Sequence, residues 1–307
     1  MKQKYWGALA ALAACIAMAP SASAFCRTTT CDPNDPAEHC AMDTNMCVTD
    51  GFPLAWRSSC VTIGVQKMGS PSNGFSYEQV ADVVERAFGA WMNAKCGTAH
   101  PSIDVQMIGP IECGTSEYNS KVGNANIVLF REDVWPYGEA QNAIGLTTTR
   151  FDTKTGELWD ADIELNGATE TLSIGDPIMG DDLLSVLTHE AGHFLGMSHS
   201  QDQAATMRAI YNPATDGDSF RSLASDDVEG ICTIYPPDRP IATTSCENRH
   251  GFSSQCGADQ PPPEESKGCS LNTRAAVRPD GPGNYALLLV AAVVVSGARL
   301  ARRRRIV

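Results

Sequence analysis

The chain of 307 residues is long enough for one well-buried domain with appendages, or for two small domains. It carries 23 basic and 36 acidic side chains, which gives a formal net charge of −13. A negative charge of this size opposes binding to nucleic acid and to anionic lipid surfaces, so we expect neither as a partner.

The first 24 residues have the layout of a secretory signal peptide. Two lysines near the start are followed by an apolar run and by the small residues Ala22-Ser23-Ala24. The mature chain is therefore expected to begin near Phe25 and to be exported. An N-terminal membrane anchor is the alternative, but it needs about 20 apolar residues with polar flanks on both sides.

The cysteine content fits an exported protein. Of 12 cysteines, Cys15 leaves with the signal peptide and Cys269 lies in the C-terminal tail. In an oxidising compartment the remaining ones predict up to five disulfides. Two pairs are close enough in sequence to be local disulfides, Cys96 with Cys113 and Cys246 with Cys256. Zinc binding by cysteines is the alternative, but no two cysteines show the CxxC spacing of such sites.

The first half of the chain contains one extension and one clear helix. Residues 25–58 are rich in cysteine and lack hydrophobic periodicity, so we predict a disulfide-held extension. Alternating apolar residues over 60–66 predict a strand. Ser76 and Gln79 have the spacing of a capping box, and the apolar residues that follow recur every third or fourth position, which predicts an amphipathic helix.

Further strands and two more helices complete the predicted domain. The strands are predicted at residues 103–108, 127–130, 145–149 and 158–165. Asp181 or Asp182 can cap a second helix, and Gly196 can end it. A last helix is predicted from Ser225, with Asp226 and Asp227 in its electropositive first turn. Strands on both sides of a long helix indicate a mixed α/β (α+β) layered fold.

The stretch from His189 to His199 carries the most specific pattern, H-E-A-G-H-F-L-G-M-S-H. Residues four apart on a helix lie one above the other, so His189 and His193 present two imidazoles to one point. A catalytic zinc ion takes three protein ligands and leaves a fourth position to water, and His199 is the natural third ligand. A solvated helix face is the alternative, but it does not explain the glycine and the third histidine at fixed offsets.

The chain must turn back for His199 to reach the metal, because ten helical residues span about 15 Å along the axis. Gly196 is predicted to make this turn, since glycine enters the left-handed conformation without a steric cost. Glu190, beside the first ligand, is predicted to act as general base for a zinc-activated water and then to protonate the leaving amine.

This motif is similar to the metzincin zinc-binding consensus H-E-x-x-H-x-x-G-x-x-H. Met207 matches the methionine of the metzincin Met-turn, although a core-filling methionine is the alternative. Ser200, after the third histidine, and residues 223–235 most resemble the matrixin branch. The resemblance implies a catalytic domain at residues 59–237 with a mixed twisted sheet, two long helices, the Met-turn and a C-terminal helix. It also implies a monomer that acts on proteins or peptides.

The resemblance further implies an edge strand that binds an extended peptide by β-augmentation. Residues 159–164 or residues 144–148 would form this edge. Arg208 stands where a tyrosine is usual, and Tyr211 is close enough in sequence to be a substrate-side hydroxyl donor. No P-R-C-G propeptide switch and no His-rich segment for a second, structural zinc occur. Residues 25–58 are therefore the candidate for imposing latency.

Calcium is a second candidate metal. Asp152, Asp160 and Asp162, together with Glu164, offer the oxygen ligands that calcium prefers. A solvated acidic strand is the alternative explanation of the same residues.

The C-terminal part has a separate organisation. Residues 238–268 contain prolines and cysteines and are predicted to form a stalk. Residues 269–307 contain an apolar run over 285–298 followed by an arginine cluster, just after a Gly-Cys-Ser triplet at Cys269. This order resembles the sorting tails of myxobacterial surface proteins, which implies cleavage near Cys269 and attachment to the outer surface of a Gram-negative bacterium. A simple tail anchor is the alternative, although such a run gives a helix of only about 21 Å against a ~30 Å hydrocarbon core.

Taken together, these features predict an exported or surface-attached zinc endopeptidase. A self-processing or assembly role on the cell surface uses the same chemistry and stays open. A zinc-bearing adhesion or binding module without catalysis is the alternative from a different class. Glu190 argues against it, because a structural zinc site has no need of an open position and a general base.

Overall fold

A computed structural model describes residues 24–138 and 140–256 and the backbone of two further short strands. The helices are α1 Tyr77–Met92, α2 Leu183–Phe194 and α3 Ser225–Ile234, with a 3₁₀ turn at Ser219–Arg221. The strands are β1 Cys26–Arg27, β2 Cys60–Val65, β3 Asp104–Met107, β4 Ile127–Phe130, β5 Gly145–Asp152, β6 Leu158–Leu165, β7 Leu172–Ser173, β8 Asp181–Asp182, β9 Met197–Ser198, β10 Ile210–Tyr211, β11 Tyr285–Leu289 and β12 Arg304–Arg305. Within this part of the chain no helix has both the length and the apolar character needed to cross a membrane.

One sheet organises the domain, with the strand order β11-β5-β6-β4-β2-β3. Strands β3, β2, β4 and β6 run parallel, whereas β5 is antiparallel to β6 and β11 is antiparallel to β5. The predicted mixed α/β fold is confirmed. The prediction of residues 159–164 as the peptide-binding edge was wrong, because β6 lies between β5 and β4. The other candidate segment, residues 144–148, overlaps the first half of β5, whose outer edge is paired with β11 of the tail over Thr148–Asp152.

Helix α1 begins at a capping box, as predicted. Ser76 Oγ accepts a hydrogen bond from the Gln79 backbone N–H at 3.3 Å, and the Gln79 side-chain oxygen accepts one from the Ser76 N–H at 3.0 Å. The helix buries one apolar stripe: Val80, Val83, Val84, Ala87, Phe88 and Trp91. Large side chains that are fully buried contribute about 1.5–3 kcal/mol each. The stripe therefore fixes α1 in the main core, where it packs with α2 on one face of the sheet.

The opposite face of the sheet carries a smaller core. Ile127 and Leu129 of β4 pack there against Ile111, Cys113 and Cys256. Alternation along β4 sends the neighbouring Val128 and Phe130 to the main core instead. The helix that bears the predicted metal ligands thus lies on one defined face of the sheet.

Five disulfides are present in the described residues: Cys26–Cys47, Cys31–Cys40, Cys60–Cys246, Cys96–Cys232 and Cys113–Cys256. The predicted upper limit of five is reached, but both predicted local pairs were wrong. Cys96 and Cys113 bond to cysteines that are 136 and 143 residues away. Tertiary packing, which brings α3 and the C-terminal extension onto the domain, decides these pairs rather than proximity in sequence.

The N-terminal extension packs against the loop that follows α2. Strand β1 pairs with β9, and the Thr28 backbone N–H donates to Gly196 O at 3.0 Å. Thr28 Oγ1 also donates to Met197 O at 2.9 Å. All four cysteines of residues 25–58 form disulfides, so this segment offers no thiol to a metal. Latency imposed by the extension stays a prediction.

Part of the predicted stalk packs on the domain. Two disulfides join residues 238–256 to the sheet region, and Arg239 Nη2 donates to Ser58 O at 2.7 Å. The Arg239 guanidinium also lies over the Tyr235 ring, 4.9 Å from its centroid. Residues 236–256 thus form a C-terminal extension that covers the start of β2.

Other predictions fall on parts of the chain outside the described residues. These are the signal peptide up to Ser23, the second half of the stalk and the Gly-Cys-Ser triplet. In the tail, residues 285–289 form β11 where the sequence predicted a helix. The unpaired backbone groups of the β5 edge explain this difference, because an edge strand is a template for pairing with another strand.

Candidate metal centre

Helix α2 is set between a polar cap and a glycine turn. Asp182 Oδ2 accepts a hydrogen bond from the Ser185 N–H at 2.9 Å, which starts the helix. The helix ends at Phe194, and Gly196 follows with φ +93°. A Cβ at Gly196 would lie 2.5 Å from Leu54 O. Both the backbone conformation and the close approach of the N-terminal extension therefore require glycine at the turn.

The turn brings three histidines together. His193 Nε2 lies 3.1 Å from His189 Nε2 and 3.3 Å from His199 Nε2. Three nitrogens bound tetrahedrally to one zinc at about 2.0–2.1 Å lie about 3.3 Å apart. The three predicted ligands thus fit a zinc site with room for one more ligand.

Backbone carbonyl groups at the Nδ1 atoms orient the imidazoles of His189 and His193. His189 Nδ1 lies 2.6 Å from Thr206 O, and His193 Nδ1 lies 2.9 Å from Met197 O. A carbonyl at Nδ1 places the ring proton there and leaves the Nε2 lone pair for a metal. Burial, followed by the neighbouring histidines, holds the pKa of His189 well below its usual range, and burial lowers the pKa of His193 to about 4. Both rings are therefore in the neutral form that binds metal.

Glu190 faces the sheet beside the first ligand. Thr147 Oγ1 of β5 donates a hydrogen bond to Glu190 Oε2 at 2.6 Å. A Cβ at Gly145 would lie 2.8 Å from Glu190 Oε1, so the absence of a side chain there makes room for the carboxylate. The start of the edge strand thus holds Glu190 next to the three histidines.

Met207 packs against α2 at Gly192, which lies between the first two ligands in sequence. A Cβ at Gly192 would lie 2.2 Å from Met207 Sδ and 2.8 Å from Trp91 Cζ2. Trp91 Nε1 donates to Thr188 O at 2.7 Å and so holds the other side of the helix. Met207, which the sequence placed in a Met-turn, lies fully buried in this contact.

Two aspartates of α3 hold the loops around the metal ligands. Asp227 accepts hydrogen bonds from the N–H groups of Thr206 and Met207 at 2.7 and 3.0 Å. Asp226 accepts one from Ser200 Oγ at 2.6 Å and one from the Phe25 N–H at 3.0 Å. The start of α3 therefore links the Met207 turn, the third-ligand loop and the N-terminal extension.

Sequence reasoning missed Gly145, Gly192 and Thr147, and it saw Asp226 and Asp227 only as favourable first-turn residues. The glycine in the middle of the histidine motif was the one available signal for a close contact, because glycine weakens a helix interior and needs a packing reason there. The partners of Gly145 and Thr147 come from another element and left no local signal.

Tyr211 is placed differently from the prediction. Its side chain is fully buried, and its hydroxyl donates to Gly217 O at 2.6 Å. Its ring packs on Phe220, whose ring in turn stacks on His189 with centroids 6.4 Å apart. A substrate-side hydroxyl role is not supported by this placement, because the hydroxyl points at the loop rather than into open space.

The candidate calcium ligands are not brought together. Among the described residues, only the three histidines and the group Cys31, Glu38 and Cys40 place three such ligand atoms within 4.8 Å, and those cysteines are disulfide-bonded. Asp152 Oδ1 accepts from the Lys154 N–H within a turn.

The two aspartates of β6 are buried carboxyls. Burial, and then repulsion from Asp162, raises the pKa of Asp160 well above its usual range, and burial raises the pKa of Asp162 to about 7. Asp162 Oδ1 accepts a hydrogen bond from the Ile127 N–H at 3.1 Å. The alternative of a solvated acidic strand is wrong for Asp160 and Asp162, since both side chains are buried in the sheet.

The fold and the three-histidine centre are metzincin-like. Comparison with known proteins places its sequence more narrowly: residues 120–236 match the Matrixin family, Peptidase_M10. This stretch contains all three histidines, Glu190, Gly196 and Met207. The domain is therefore matrixin-like.

Matches to individual proteins support the same assignment. Matrix metalloproteinase-C of Caenorhabditis elegans is 27% identical over 222 residues, which cover 66% of this chain and 34% of that protein. Metalloendoproteinase 1-MMP of Arabidopsis thaliana is 33% identical over 108 residues, 35% of this chain and 27% of that protein. Human Matrix metalloproteinase-16 is 40% identical over 82 residues, 24% and 13% respectively. The chain spans about a third or less of the length of these relatives, and the matches support a matrixin-like domain.

Proposed function

We propose that the protein is an exported zinc-dependent endopeptidase that hydrolyses internal peptide bonds. The observation that carries the proposal is the convergence of three histidine Nε2 atoms beside a glutamate that Thr147 holds in place. His189, His193 and His199 would hold the zinc. When bound, zinc lowers the pKa of a water molecule towards ~7 and polarises a carbonyl group.

Glu190 supplies the proton transfers of the reaction. Its carboxylate takes a proton from the attacking water as the new C–O bond forms at the peptide carbonyl. It then gives that proton to the departing nitrogen as the C–N bond breaks, so the products are a carboxylic acid and an amine, which ionise to a carboxylate and an ammonium group. The hydrogen bond from Thr147 orients the carboxylate for both transfers, and Gly145 leaves the space in which it acts.

The substrate is an extended peptide that pairs with the edge of β5. This strand starts next to Glu190, so a peptide on its edge runs past the metal centre. In the structure the far part of this edge, Thr148–Asp152, is paired with β11. Binding of a long peptide there requires β11 to leave.

The non-enzymatic alternative is disfavoured by the same geometry. A zinc-bearing adhesion module would close the metal with a fourth protein ligand and would not need a buried carboxylate beside it. Among the described residues, no fourth His, Cys, Asp or Glu joins the three histidines in a ligand group. Self-processing or assembly on the cell surface would use the same endopeptidase chemistry. It differs from the main proposal only in the protein that is cleaved.

Export and surface attachment complete the proposal. Five disulfides support an oxidising compartment. Residues 1–24 would direct export, and the tail, residues 269–307, would attach a monomeric enzyme to the outer membrane of a Gram-negative bacterium. Calcium is not part of the proposal, because Asp152, Asp160 and Asp162 do not form one group.

The test is proteolysis of denatured casein by the purified chain from Phe25 to Lys267, with and without a zinc chelator. Glu190→Ala should retain zinc and lose turnover by several orders of magnitude, whereas His199→Ala should lose both. His100→Ala, in an exposed loop, is the control and should match the wild type. Proteolysis by Glu190→Ala at the wild-type rate would contradict the proposed mechanism. Proteolysis that persists in the presence of the chelator would contradict the requirement for zinc.

A further inference from the structure

The carbonyl groups at the end of α2 take their hydrogen-bond donors from distant parts of the chain. A helix leaves its last carbonyls without partners inside the helix. Trp56 Nε1 donates to Phe194 O at 2.9 Å, and the Tyr235 hydroxyl donates to Leu195 O at 2.9 Å. Trp56 belongs to the N-terminal extension, residues 25–58. This extension therefore supplies part of the cap of the helix that carries the first two metal ligands.

Thr28 of the same extension holds the next two carbonyl groups. Its backbone N–H donates to Gly196 O at 3.0 Å, and its hydroxyl donates to Met197 O at 2.9 Å. Its own carbonyl accepts from the Leu54 N–H at 2.8 Å. Thr28 is buried, so a donor lost there is not replaced freely by water. One residue therefore fixes the turn that separates the second metal ligand from the third.

Met197 O is shared between Thr28 and a metal ligand. His193 Nδ1 lies 2.9 Å from the same oxygen that accepts the Thr28 hydroxyl. A carbonyl oxygen has two lone pairs and can accept from both donors at once. The hydrogen-bond partner of a metal-binding imidazole sets the orientation of the ring and the affinity for the metal. The Thr28 hydroxyl thus fixes the acceptor that orients His193.

Strand pairing brings the extension up to the third ligand. Strand β1 pairs with β9 in the register Cys26 to Ser198 and Arg27 to Met197. Ser198 directly precedes His199 in the chain. The N-terminal extension therefore holds the backbone on both sides of the turn, next to the second ligand and next to the third.

We infer that Thr28 is a positioning residue of the metal centre and that the N-terminal extension is a part of the working enzyme. The inference rests on the proposed zinc site. The Thr28 hydroxyl holds Met197 O where His193 Nδ1–H meets it, and the pairing of β1 with β9 holds the backbone that leads to His199. This role is the opposite of latency. Loosening an inhibitory segment raises activity, whereas loosening a segment that orients the metal ligands lowers it.

The first test compares the zinc affinity of Thr28→Val with that of the wild type in the full chain. Valine has nearly the shape of threonine but lacks the hydroxyl, so Met197 O loses one donor. We expect zinc to bind about tenfold more weakly to Thr28→Val and within about twofold of the wild type to Thr28→Ser. Thr49→Val is the matched control, because exposed Thr49 Oγ1 also donates to a carbonyl of the extension, Ala41 O at 3.2 Å. An unchanged zinc affinity in Thr28→Val would overturn the inference.

A second readout separates this role from a general loss of stability. In zinc-saturated protein with 15N-labelled histidine, the His193 Nδ1–H should exchange with water about fivefold faster in Thr28→Val, because its acceptor is no longer fixed. The His189 Nδ1–H, which faces Thr206 O, is the internal control and should keep its exchange rate. Thr28→Ser should restore the rate at His193. Equal acceleration at both rings would mean that the substitution only loosens the fold, and the inference would be wrong.

Turnover of denatured casein at saturating zinc gives the sign of the effect. We expect kcat/KM of Thr28→Val to fall about threefold, because a misplaced metal ligand weakens the transition state. A value equal to that of the wild type or above it would overturn the inference, and a rise would indicate latency instead. The zinc and exchange measurements need no turnover. A wild type that binds zinc and cuts no casein would therefore count against the endopeptidase proposal alone.

Discussion

The metal centre and the C-terminal extension are held by different kinds of contact. Around the metal, hydrogen bonds join residues close in sequence: His189 to Thr206 spans 17 residues and Thr206 to Asp227 spans 21. The C-terminal extension is tied to the domain by disulfides, and Cys60–Cys246 spans 186 residues. The contacts that orient the first two metal ligands and the Met207 turn are thus short in sequence, whereas the C-terminal extension depends on the completed fold. Damage to one region should leave the other largely intact.

The largest expected effect on stability comes from removing the disulfide that joins the C-terminal extension to the domain. In the chain-entropy picture, a cross-link spanning 186 residues contributes about 5 kcal/mol and one spanning 9 residues about 2.5 kcal/mol. The pair Cys60→Ser/Cys246→Ser should therefore cost about twice as much as Cys31→Ser/Cys40→Ser in denaturant unfolding. Zinc affinity of the folded protein should be unchanged in both, and its loss would contradict the separation of the two regions.

Gly192→Ala disturbs the packing around the metal centre. The new Cβ meets Met207 Sδ and the rigid Trp91 ring, so we expect a loss of about 1–3 kcal/mol and weaker zinc binding. Gly89→Ala is the control within α1, where the nearest atom is an Asn93 side-chain nitrogen at 3.8 Å. That variant should gain about 0.5–1 kcal/mol, since alanine favours the helix. Thermal unfolding and zinc titration measure both, and equal zinc affinities would show that Met207 does not support the site.

A pH experiment sharpens the comparison at the start of α2. Burial raises the pKa of Asp181 to about 7 from an ordinary value near 3.8. The folded protein therefore holds this proton more tightly than the unfolded chain, and the contribution of Asp181 to stability is lost as pH rises from about 4 to about 7. The advantage of Asp181→Asn over the wild type should grow across that range by about 1–2 kcal/mol, at about 1.4 kcal/mol for each unit of pKa shift that is realised. A difference that stays flat with pH would mean that Asp181 ionises freely in the folded state.

The smallest expected effect concerns the tail on the β5 edge. In an antiparallel pair only alternate N–H groups face the neighbouring strand, so only one of Leu287 and Leu288 can donate to β5. If β11 competes with substrate, one of Leu287→Pro and Leu288→Pro should lower KM for casein by about twofold and the other should not. Hydrogen exchange of the Thr148–Asp152 amides should change in the same single variant. Equal behaviour of the two would show that β11 does not pair with β5 in solution.

The sequence predicted the parts of the molecule that short-range patterns encode. The capping box at Ser76, the turn at Gly196 and the gathering of His189, His193 and His199 follow from spacing along one or two elements. The disulfides could not be predicted, because Cys96 and Cys113 meet partners that only the packing of α3 and the C-terminal extension brings near.

Residues that act across elements were missed or misplaced for the same reason. Gly145 and Thr147 matter because Glu190 reaches β5, and nothing near either residue in sequence indicates that contact. Tyr211 was misplaced because its hydroxyl finds Gly217 within the loop. Arg208 stood out in the sequence as a departure from a family pattern, and its ion pair with Asp216, eight residues on, left no local signal.

The central claim is that three histidines bind zinc and leave one position open beside Glu190. X-ray absorption at the zinc edge of the full chain tests it most directly. The account predicts one zinc per chain with three nitrogen ligands at about 2.0–2.1 Å and one oxygen ligand, falling to two histidine nitrogens in any zinc retained by His199→Ala. A sulfur ligand, a fourth histidine nitrogen or a protein that binds no zinc would contradict it.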